Sequence, residues 1–332
     1  MTHVMQRSRK SFPNFSFGIA VYLLLSTVPQ QIASLSSTTP SQSIDSKSNL
    51  LKTFRKDIAS TELQRLVNAK VMNIARPVTI RAKRIQPGDV SRSNSLGQIK
   101  KTVHFQRHGQ GYHNLLYNIW REQGLPMPDE WETIDGVPEQ NPLVRSEIVD
   151  APLTEKGRQE CVGWRDYAAT IEPEIIIVSP MTRAIQTAQI TFDKHWNDKG
   201  FSNPSSIPWV AHEDCREETG LFVCNKRRPL GELRKEFAHV DFSKILTEDD
   251  DMFIPETREP MQQQNDRIYS FLVDFIRTLP QQEIVVVGHS SWLFHMCNAV
   301  LDCDISDVEL LSWFATSEIR TLQLEYYSTV PE

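Results

Sequence analysis

The chain contains the stretch Thr102-Val103-His104-Phe105-Gln106-Arg107-His108-Gly109, in which a β-rich run ends at a basic pair and a glycine. β-branched and aromatic residues favour a strand, so Arg107 and His108 are predicted to stand at a strand's carboxyl end. Arginine offers a fork of N–H donors that matches phosphate oxygens, and a neutral imidazole can attack phosphorus. A glycine lets the backbone approach a phosphate closely. The stretch therefore predicts an anion site that contains a nucleophile.

Short β-rich runs alternate with helical stretches after residue 101, which predicts an α/β fold. Two of these runs are continuously apolar, as is typical of strands buried on both faces of a sheet. The predicted strands are Thr102–Gln106, Ile175–Val178, Pro208–Ala211, Ile284–Gly288 and Ile319–Leu324. The predicted helices are Thr154–Ala169, Thr182–Trp196, Met261–Leu279 and Ser291–Leu301, with Tyr112–Arg121 and Leu230–Phe237 as weaker candidates.

Basic residues follow the carboxyl ends of three predicted strands. Arg107 and His108 follow the first strand, Arg183 follows the second, and His289 follows the fourth. In open α/β sheets, ligands bind at these strand ends, and helix N-termini there present free N–H groups to anions. Residues that are far apart in the sequence are therefore predicted to converge on one phosphate-binding site.

Four motifs, in this order, make the chain resemble the histidine phosphatase superfamily, the group that includes phosphoglycerate mutase and many phosphatases. They are Arg107-His108-Gly109 with Asn114, Leu153-Thr154-Glu155-Lys156-Gly157, Ser179-Pro180-Met181-Thr182-Arg183-Ala184-Ile185-Gln186-Thr187-Ala188, and Val287-Gly288-His289-Ser290. The strings Cys215-Arg216-Glu217-Glu218 and Cys224-Asn225-Lys226-Arg227-Arg228 resemble, more narrowly, the phosphoglycerate-mutase-like proteins of plants and fungi. The resemblance implies a three-layer α/β/α sandwich around a mostly parallel central sheet.

The resemblance also implies roles for the residues of these motifs. His108 is expected to be the nucleophile that forms a phosphohistidine. The expected ligands of the phosphoryl oxygens are Arg107, Arg183 and His289. Further substrate-binding residues are expected at Gly109, Asn114 and Ser290. No metal and no other cofactor is implied, because cationic side chains would oppose the phosphate charge.

A leaving alkoxide needs a proton, and the resemblance implies a carboxyl group after the third predicted strand as its donor. Glu217 is the expected donor, with Glu218 and Glu213 as alternatives. Arg227 and Arg228 are rare basic residues in an acidic region, which makes them candidates for binding a second anionic group of the substrate.

The resemblance implies a phosphatase that hydrolyses a small phosphorylated metabolite or another phosphomonoester through phosphohistidine. A phosphoglycerate-type mutase is one alternative, which would have to keep the phosphohistidine from water and hold a carboxylate. A non-catalytic module that binds a phosphate ligand is the other. The intact set of histidines and arginines favours an enzyme, and the lack of the longer pattern of glycolytic mutases favours the phosphatase.

Charge is distributed unevenly along the chain. Residues 1–33 carry three basic and no acidic residues, residues 34–100 carry 12 basic and 4 acidic residues, and residues 101–332 carry 21 basic and 38 acidic residues. The acidic part argues against nucleic acid as a partner. We therefore expect an N-terminal region ahead of a soluble histidine phosphatase domain at residues 101–328.

The N-terminal region has the order of a targeting sequence. Residues 1–33 pass from a basic start to an apolar centre, which predicts a signal peptide or an uncleaved signal anchor. Residues 34–100 are basic and rich in Ser and Thr, which predicts a second targeting segment or a largely disordered linker. The expected destination is the secretory pathway, with secretion, an endomembrane or a plastid as its end, and a membrane anchor or another organelle as the alternative. Membrane contact is expected only through an uncleaved anchor.

Three further predictions concern individual cysteines and histidines. Cys215 and Cys224 are close enough in sequence to pair in an oxidising compartment, but five free thiols are the favoured interpretation. His104 alternates along the predicted strand and is expected to be structural. His113 stands at a helix start, and this place is consistent both with lining the pocket and with lying on the surface.

Overall fold

The structure is a computed structural model that describes residues 63–66, 74–86, 99–124, 142–195 and 207–328. The predicted signal region at residues 1–33 lies outside the described residues, so targeting to the secretory pathway stays a prediction. Seven strands form the sheet: β1 (Val78–Arg84), β2 (Ile99–Arg107), β3 (Ile175–Val178), β4 (Trp209–Ala211), β5 (Glu283–Gly288), β6 (Asp302–Cys303) and β7 (Ile319–Ser328).

The sheet has the strand order β4-β3-β5-β2-β7-β1-β6. Strands β4, β3, β5 and β2 are parallel to one another, and β7 runs antiparallel between β2 and β1. The register pairs Arg107 with Gly288 and Val178 with Val287. The carboxyl ends of β2, β3 and β5 therefore lie side by side, and the residues that follow these strands are close together, as the sequence predicts.

Helices cover both faces of the sheet. They are α1 (Tyr112–Glu122), α2 (Glu155–Val162), α3 (Arg165–Ala168), α4 (Thr182–Thr191), α5 (Leu230–Glu236), α6 (Met261–Ser270) and α7 (Ser290–His295). The single helix predicted at Thr154–Ala169 is divided between α2 and α3 at Gly163 and Trp164. The helices predicted at Met261–Leu279 and Ser291–Leu301 continue past α6 and α7 as π-helical turns, Phe271–Phe275 and Met296–Val300.

Alternate residues of the central strands enter two separate apolar clusters. Ile176 and Val285 pack with residues of α4 and α5. Ile177 and Val286 pack with residues of α6 and α7. Each such buried aliphatic side chain contributes about 1.5–3 kcal/mol relative to exposure. Burial of both faces explains why β3 and β5 are continuously apolar, and it gives the predicted three-layer α/β/α sandwich with a mostly parallel sheet.

Strand β1 corrects the predicted domain boundary. The start at residue 101 and the disorder predicted for residues 34–100 are wrong for Val78–Arg84, because all seven residues of this strand pair with β7. Ile80 and Ala82 are buried, whereas Arg81 and Lys83 face solvent. The basic residues that give this segment a linker-like composition are thus the solvent face of an amphipathic strand.

The described ranges contain neither a membrane span nor a cluster of metal ligands. No helix there is long and apolar enough to cross a membrane. No group of three or more His, Cys, Asp and Glu side chains there is arranged to hold a metal ion. All five cysteines lie in the described part of the chain and are free thiols, including Cys215 and Cys224.

Candidate active site

His108 follows the last residue of β2 and is 2% exposed. Its Nδ1 lies 2.6 Å from the carbonyl oxygen of Gly109. A carbonyl can only accept, so Nδ1 carries the proton and Nε2 keeps a free lone pair. Burial, reinforced by the nearby Arg183 and Arg107 guanidinium groups, holds the pKa of His108 well below its ordinary value. His108 is therefore a neutral imidazole with an unprotonated Nε2, which is the form that attacks phosphorus.

The backbone amides after His108 are occupied by internal hydrogen bonds. The Gly109 N–H donates to Thr187 Oγ1 at 3.0 Å. The next two amides donate to the side chains of Glu160 and Asn114 at 2.9 and 3.0 Å. The expectation that Gly109 binds substrate is therefore wrong, because its donor is already used inside the protein. The bond from residue 111 also leaves Asn114 with its amide NH2 as the group available to a ligand.

Gly109 is required by packing instead. A Cβ at this position would lie 2.6 Å from the carbonyl oxygen of Gly157 in α2 and 2.9 Å from Cys161 Sγ. Any other residue would force these two backbone segments apart. The glycine therefore sets how closely the loop after His108 packs on α2.

Arg183 is the second residue of α4 and is 1% exposed. Its Nη1 donates to the carbonyl oxygen of Cys224 at 2.7 Å, and its Nη2 donates to Asn225 Oδ1 at 3.0 Å. Its Nε is buried and has no hydrogen-bond partner among the described residues. Arg183 thus reaches the site as a fixed fork, and its Nε–H is among the donors still available for a phosphoryl oxygen.

The first turn of α4 is held in place by Asp150. The Asp150 carboxylate accepts from the Thr182 N–H at 2.8 Å and from the Thr182 hydroxyl at 2.5 Å. Arg228 donates to the same carboxylate at 2.9 Å. Thr182 immediately precedes Arg183 in the chain, so this cluster fixes the direction from which the guanidinium enters the site.

His289 and Arg107 complete the immediate surroundings of His108. The rings of His289 and His108 are 5.1 Å apart between centroids, and His289 Nε2 lies 2.8 Å from Ser179 Oγ. Burial, with Arg183 nearby, holds the pKa of His289 well below its ordinary value. Arg107 donates through Nη1 to the carbonyl oxygen of Phe314 at 2.7 Å. The structure therefore brings His108, Arg107, Arg183 and His289 together, as their strand-end positions predict.

The side-chain carboxylate of Glu217 lies against the N-terminus of α7. It accepts from the Ser290 hydroxyl at 3.2 Å, the Ser291 N–H at 3.2 Å and the Trp292 N–H at 3.1 Å. Glu217 and Ser290 both line a cavity of about 430 Å³ that Arg183 also lines. Ser290 therefore positions the carboxyl group of Glu217 beside the candidate phosphate site.

The two alternative carboxyl groups are held in ion pairs. Arg258 binds Glu218 through both Nε, at 3.1 Å from Oε1, and Nη2. Glu213 accepts from Arg216 at 2.8 Å and from Arg227 at 2.9 Å. Both alternative carboxyl groups are therefore already bound by arginine side chains, whereas the carboxyl group of Glu217 is bound by the hydroxyl and N–H groups at the start of α7. The geometry thus favours Glu217 among the three.

A sequence model of the histidine phosphatase superfamily (branch 1) matches residues 139–330, more than half of the chain. The chain belongs to the histidine phosphatase superfamily. The matched region contains Arg183, Glu217 and His289, and His108 lies before it.

Relatives of this superfamily member carry both mutase-like and phosphatase names. Phosphoglycerate mutase-like protein 1 of Arabidopsis thaliana is 27% identical over 250 residues, covering 67% of this chain and 80% of the relative. A probable phosphatase of Schizosaccharomyces pombe is 26% identical over 199 residues, covering 58% of this chain and 74% of the relative. Among solved structures, a mycobacterial glucosyl-3-phosphoglycerate phosphatase has a TM-score of 0.38 and 14% identity, covering 68% of this chain and 90% of that chain.

Arg227 and Arg228 do not belong to the site of this superfamily member, which corrects the prediction that they bind substrate. Arg227 is 1% exposed and donates to Glu213 and to backbone carbonyls at residues 247–249. Arg228 donates to Asp150 at 2.9 Å and to Glu236 at 2.7 Å. Both guanidinium groups are used to hold the surrounding loops together, and neither residue lines the cavity.

The cavity also accounts for a histidine whose place the sequence left open. His113, on the first turn of α1, lines it and is 9% exposed, which decides its open assignment in favour of the pocket. Burial and Arg183 hold the pKa of His113 well below its ordinary value. The signal available in the sequence was its place on the helix that follows His108. By contrast, His104 is buried beside Thr321 and Glu283, as expected of a structural histidine.

Proposed function

We propose that this protein hydrolyses a phosphomonoester through a phosphohistidine intermediate on His108. The observation that carries the proposal is the neutral, buried imidazole whose Nδ1 is tied to Gly109 and whose Nε2 is free beside Arg183 and Arg107. Such a group needs no further base to attack phosphorus.

In the first step, Nε2 of His108 forms a bond to phosphorus, and the bond from phosphorus to the ester oxygen breaks. The leaving oxygen takes a proton from the carboxyl group of Glu217. Arg107, Arg183 and His289 bind the three outer phosphoryl oxygens and stabilise the charge that spreads over them. The products of this step are the free alcohol and phosphohistidine.

In the second step, water attacks phosphorus while the carboxylate of Glu217 accepts its proton. The phosphorus–nitrogen bond breaks, inorganic phosphate leaves, and His108 returns as a neutral imidazole. Glu217 thereby serves as acid in one step and as base in the other.

The mutase alternative needs a second cationic subsite for a substrate carboxylate. The two arginines predicted for that subsite, Arg227 and Arg228, are instead bound to Glu213, Asp150 and Glu236. This supports hydrolysis over transfer between two positions of one metabolite.

The proposal is tested by trapping the intermediate. Protein mixed with ³²P-labelled phenyl phosphate and denatured at alkaline pH during turnover is expected to carry label on His108, because phosphohistidine survives base. The label is expected to be absent from a His108→Ala variant and present in His195→Ala, which removes a histidine outside the cavity. Turnover with label on a different residue, or with no covalent label, would contradict the phosphohistidine mechanism.

Replacing Glu217 by glutamine is expected to affect poor leaving groups most. Turnover of an alkyl phosphate should fall on the order of 10²-fold, whereas turnover of 4-nitrophenyl phosphate should fall less than about tenfold, because nitrophenolate leaves without a proton. The measurement is kcat for both esters with the purified variant.

The control for this substitution is Glu232→Gln, which makes the same change on an exposed residue of α5. It should leave both rates unchanged. Equal losses on the two esters in Glu217→Gln would assign Glu217 to binding rather than to proton transfer.

A further inference from the structure

The cavity beside the phosphate-binding residues is larger than a phosphoryl group requires. Its volume of about 430 Å³ lies within the range of pockets that hold a whole small molecule. Aromatic side chains form part of its wall, namely Tyr117, Phe222 and Trp313. The space therefore has the character of a subsite for the alcohol portion of the ester.

Arg258 contributes one available donor to this subsite. Its guanidinium stacks over the Phe222 ring at 4.3 Å from the centroid and binds Glu218 through Nε and Nη2. The side chain is only 10% exposed, and its Nη1 is buried without a hydrogen-bond partner in the described part of the protein. Arg258 thus holds its Nη1 in a fixed position, and the positive charge of its guanidinium is already balanced by Glu218.

Trp313 contributes a second donor. Its indole ring stacks on Phe294 with 4.4 Å between centroids and an angle of 17° between planes, which holds the ring in one orientation. Its Nε1 is also buried and unpartnered as far as the described residues go. Buried donors without partners are unfavourable, so acceptor atoms on a ligand would relieve both.

The charges around the cavity leave no surplus for a second anion. The cationic side chains at or beside the site are Arg65, Arg107, Arg183 and Arg258. Glu218 is paired with Arg258, and the carboxyl group of Glu217 carries the proton that it donates in the proposed reaction. A dianionic phosphoryl group then balances Arg107 and Arg183, and Arg65 is partly exposed to solvent. A carboxylate or second phosphate on the leaving group would therefore be buried without compensation.

We propose that the substrate's leaving group is an uncharged, flat ring that carries hydrogen-bond acceptors. Its ring lies along the wall that contains Phe222, and its acceptors receive the Arg258 Nη1–H and the Trp313 Nε1–H. This inference rests on the proposed function, since it places the ring on the alcohol side of the ester that His108 attacks.

Three phosphate esters of nearly the same size separate the possibilities. They are phenyl phosphate, 4-carbamoylphenyl phosphate, which is uncharged on its ring, and 4-carboxyphenyl phosphate, which carries a second anion. Their dissociation constants are measured by calorimetry on the full-length His108→Ala variant, so that turnover does not interfere. The carbamoyl ester is expected to bind about tenfold more tightly than phenyl phosphate and more tightly than the carboxyl ester.

Two substitutions on that background test the donors themselves. Arg258→Lys keeps the charge opposite Glu218 but removes the fork, and Trp313→Phe keeps the stacking on Phe294 but removes the N–H. Each should reduce the tenfold carbamoyl advantage toward one, with the folded state verified by thermal unfolding. Arg234→Lys, the same change at an exposed position, should preserve the advantage.

Tighter binding of the carboxyl ester than of the carbamoyl ester would overturn the inference. An advantage that survives both substitutions would overturn it as well. If the ranking holds but the unsubstituted protein hydrolyses none of the three esters, the ligand assignment stands and the proposed hydrolysis is what fails.

Discussion

Replacing His108 by alanine is expected to lower kcat for phenyl phosphate by at least ~10⁴-fold, the scale seen when other covalent catalysts lose their nucleophile. The loss follows from the proposed chemistry, because no other imidazole in the described site has the same arrangement. His289 Nε2 lies 2.8 Å from Ser179, whereas the Nε2 of His108 remains free to attack. The measurement is steady-state release of phosphate by the purified full-length variant.

The far-ultraviolet circular dichroism spectrum should be unchanged in His108→Ala, and His195→Ala should retain full activity. Residual activity within about tenfold of the unsubstituted protein would remove His108 as nucleophile. The candidate nucleophile would then be His113, whose ring centroid lies 5.5 Å from that of His108.

Replacing Arg183 by lysine is expected to lower kcat by about 10²–10³-fold, equivalent to roughly 3–4 kcal/mol of transition-state stabilisation. Lysine keeps the positive charge but presents a single point donor in place of a planar fork. The bonds to Cys224 and Asn225 that fix the fork would also be weakened. Kinetics with phenyl phosphate should show the loss mainly in kcat, because the developing charge is greatest in the transition state.

Arg165→Lys is the matched control, since Arg165 donates to the carbonyl oxygen of Ile190 at 2.8 Å and does not line the cavity. It should change kcat less than about twofold. An Arg183→Lys variant that raises KM while kcat stays constant would show that Arg183 binds ground state and transition state equally.

The catalytic cluster could be predicted because it depends on local patterns. Composition alone indicates two buried strands, one followed by Arg107-His108 and the other by His289. The carboxyl ends of such strands are where an open α/β sheet binds its ligand. The choice between Glu217 and Glu218 needed coordinates, because it depends on Arg258, which lies about 40 residues further along the chain.

Arg227 and Arg228 also show that a partner distant in the sequence cannot be predicted from local patterns. Their basic character is evident from the sequence, but their partners Asp150 and Glu213 come from other loops that no local pattern connects to them. Arg258 gave no signal for the same reason, since it stands alone in an irregular segment. A charged residue can thus be recognised in a sequence well before its counter-charge can be assigned.

The position of β1 decides where this domain can be shortened. Beginning the chain at residue 101 would remove the strand that pairs with β7 on one side and with β6 on the other. Strand β7 would then expose along Leu322–Ser328 the seven-residue edge that β1 covers, and its unpaired backbone donors and acceptors invite association between copies. Soluble, monodisperse material is therefore expected from fragments that start before Val78, and self-association from fragments that start after Arg84.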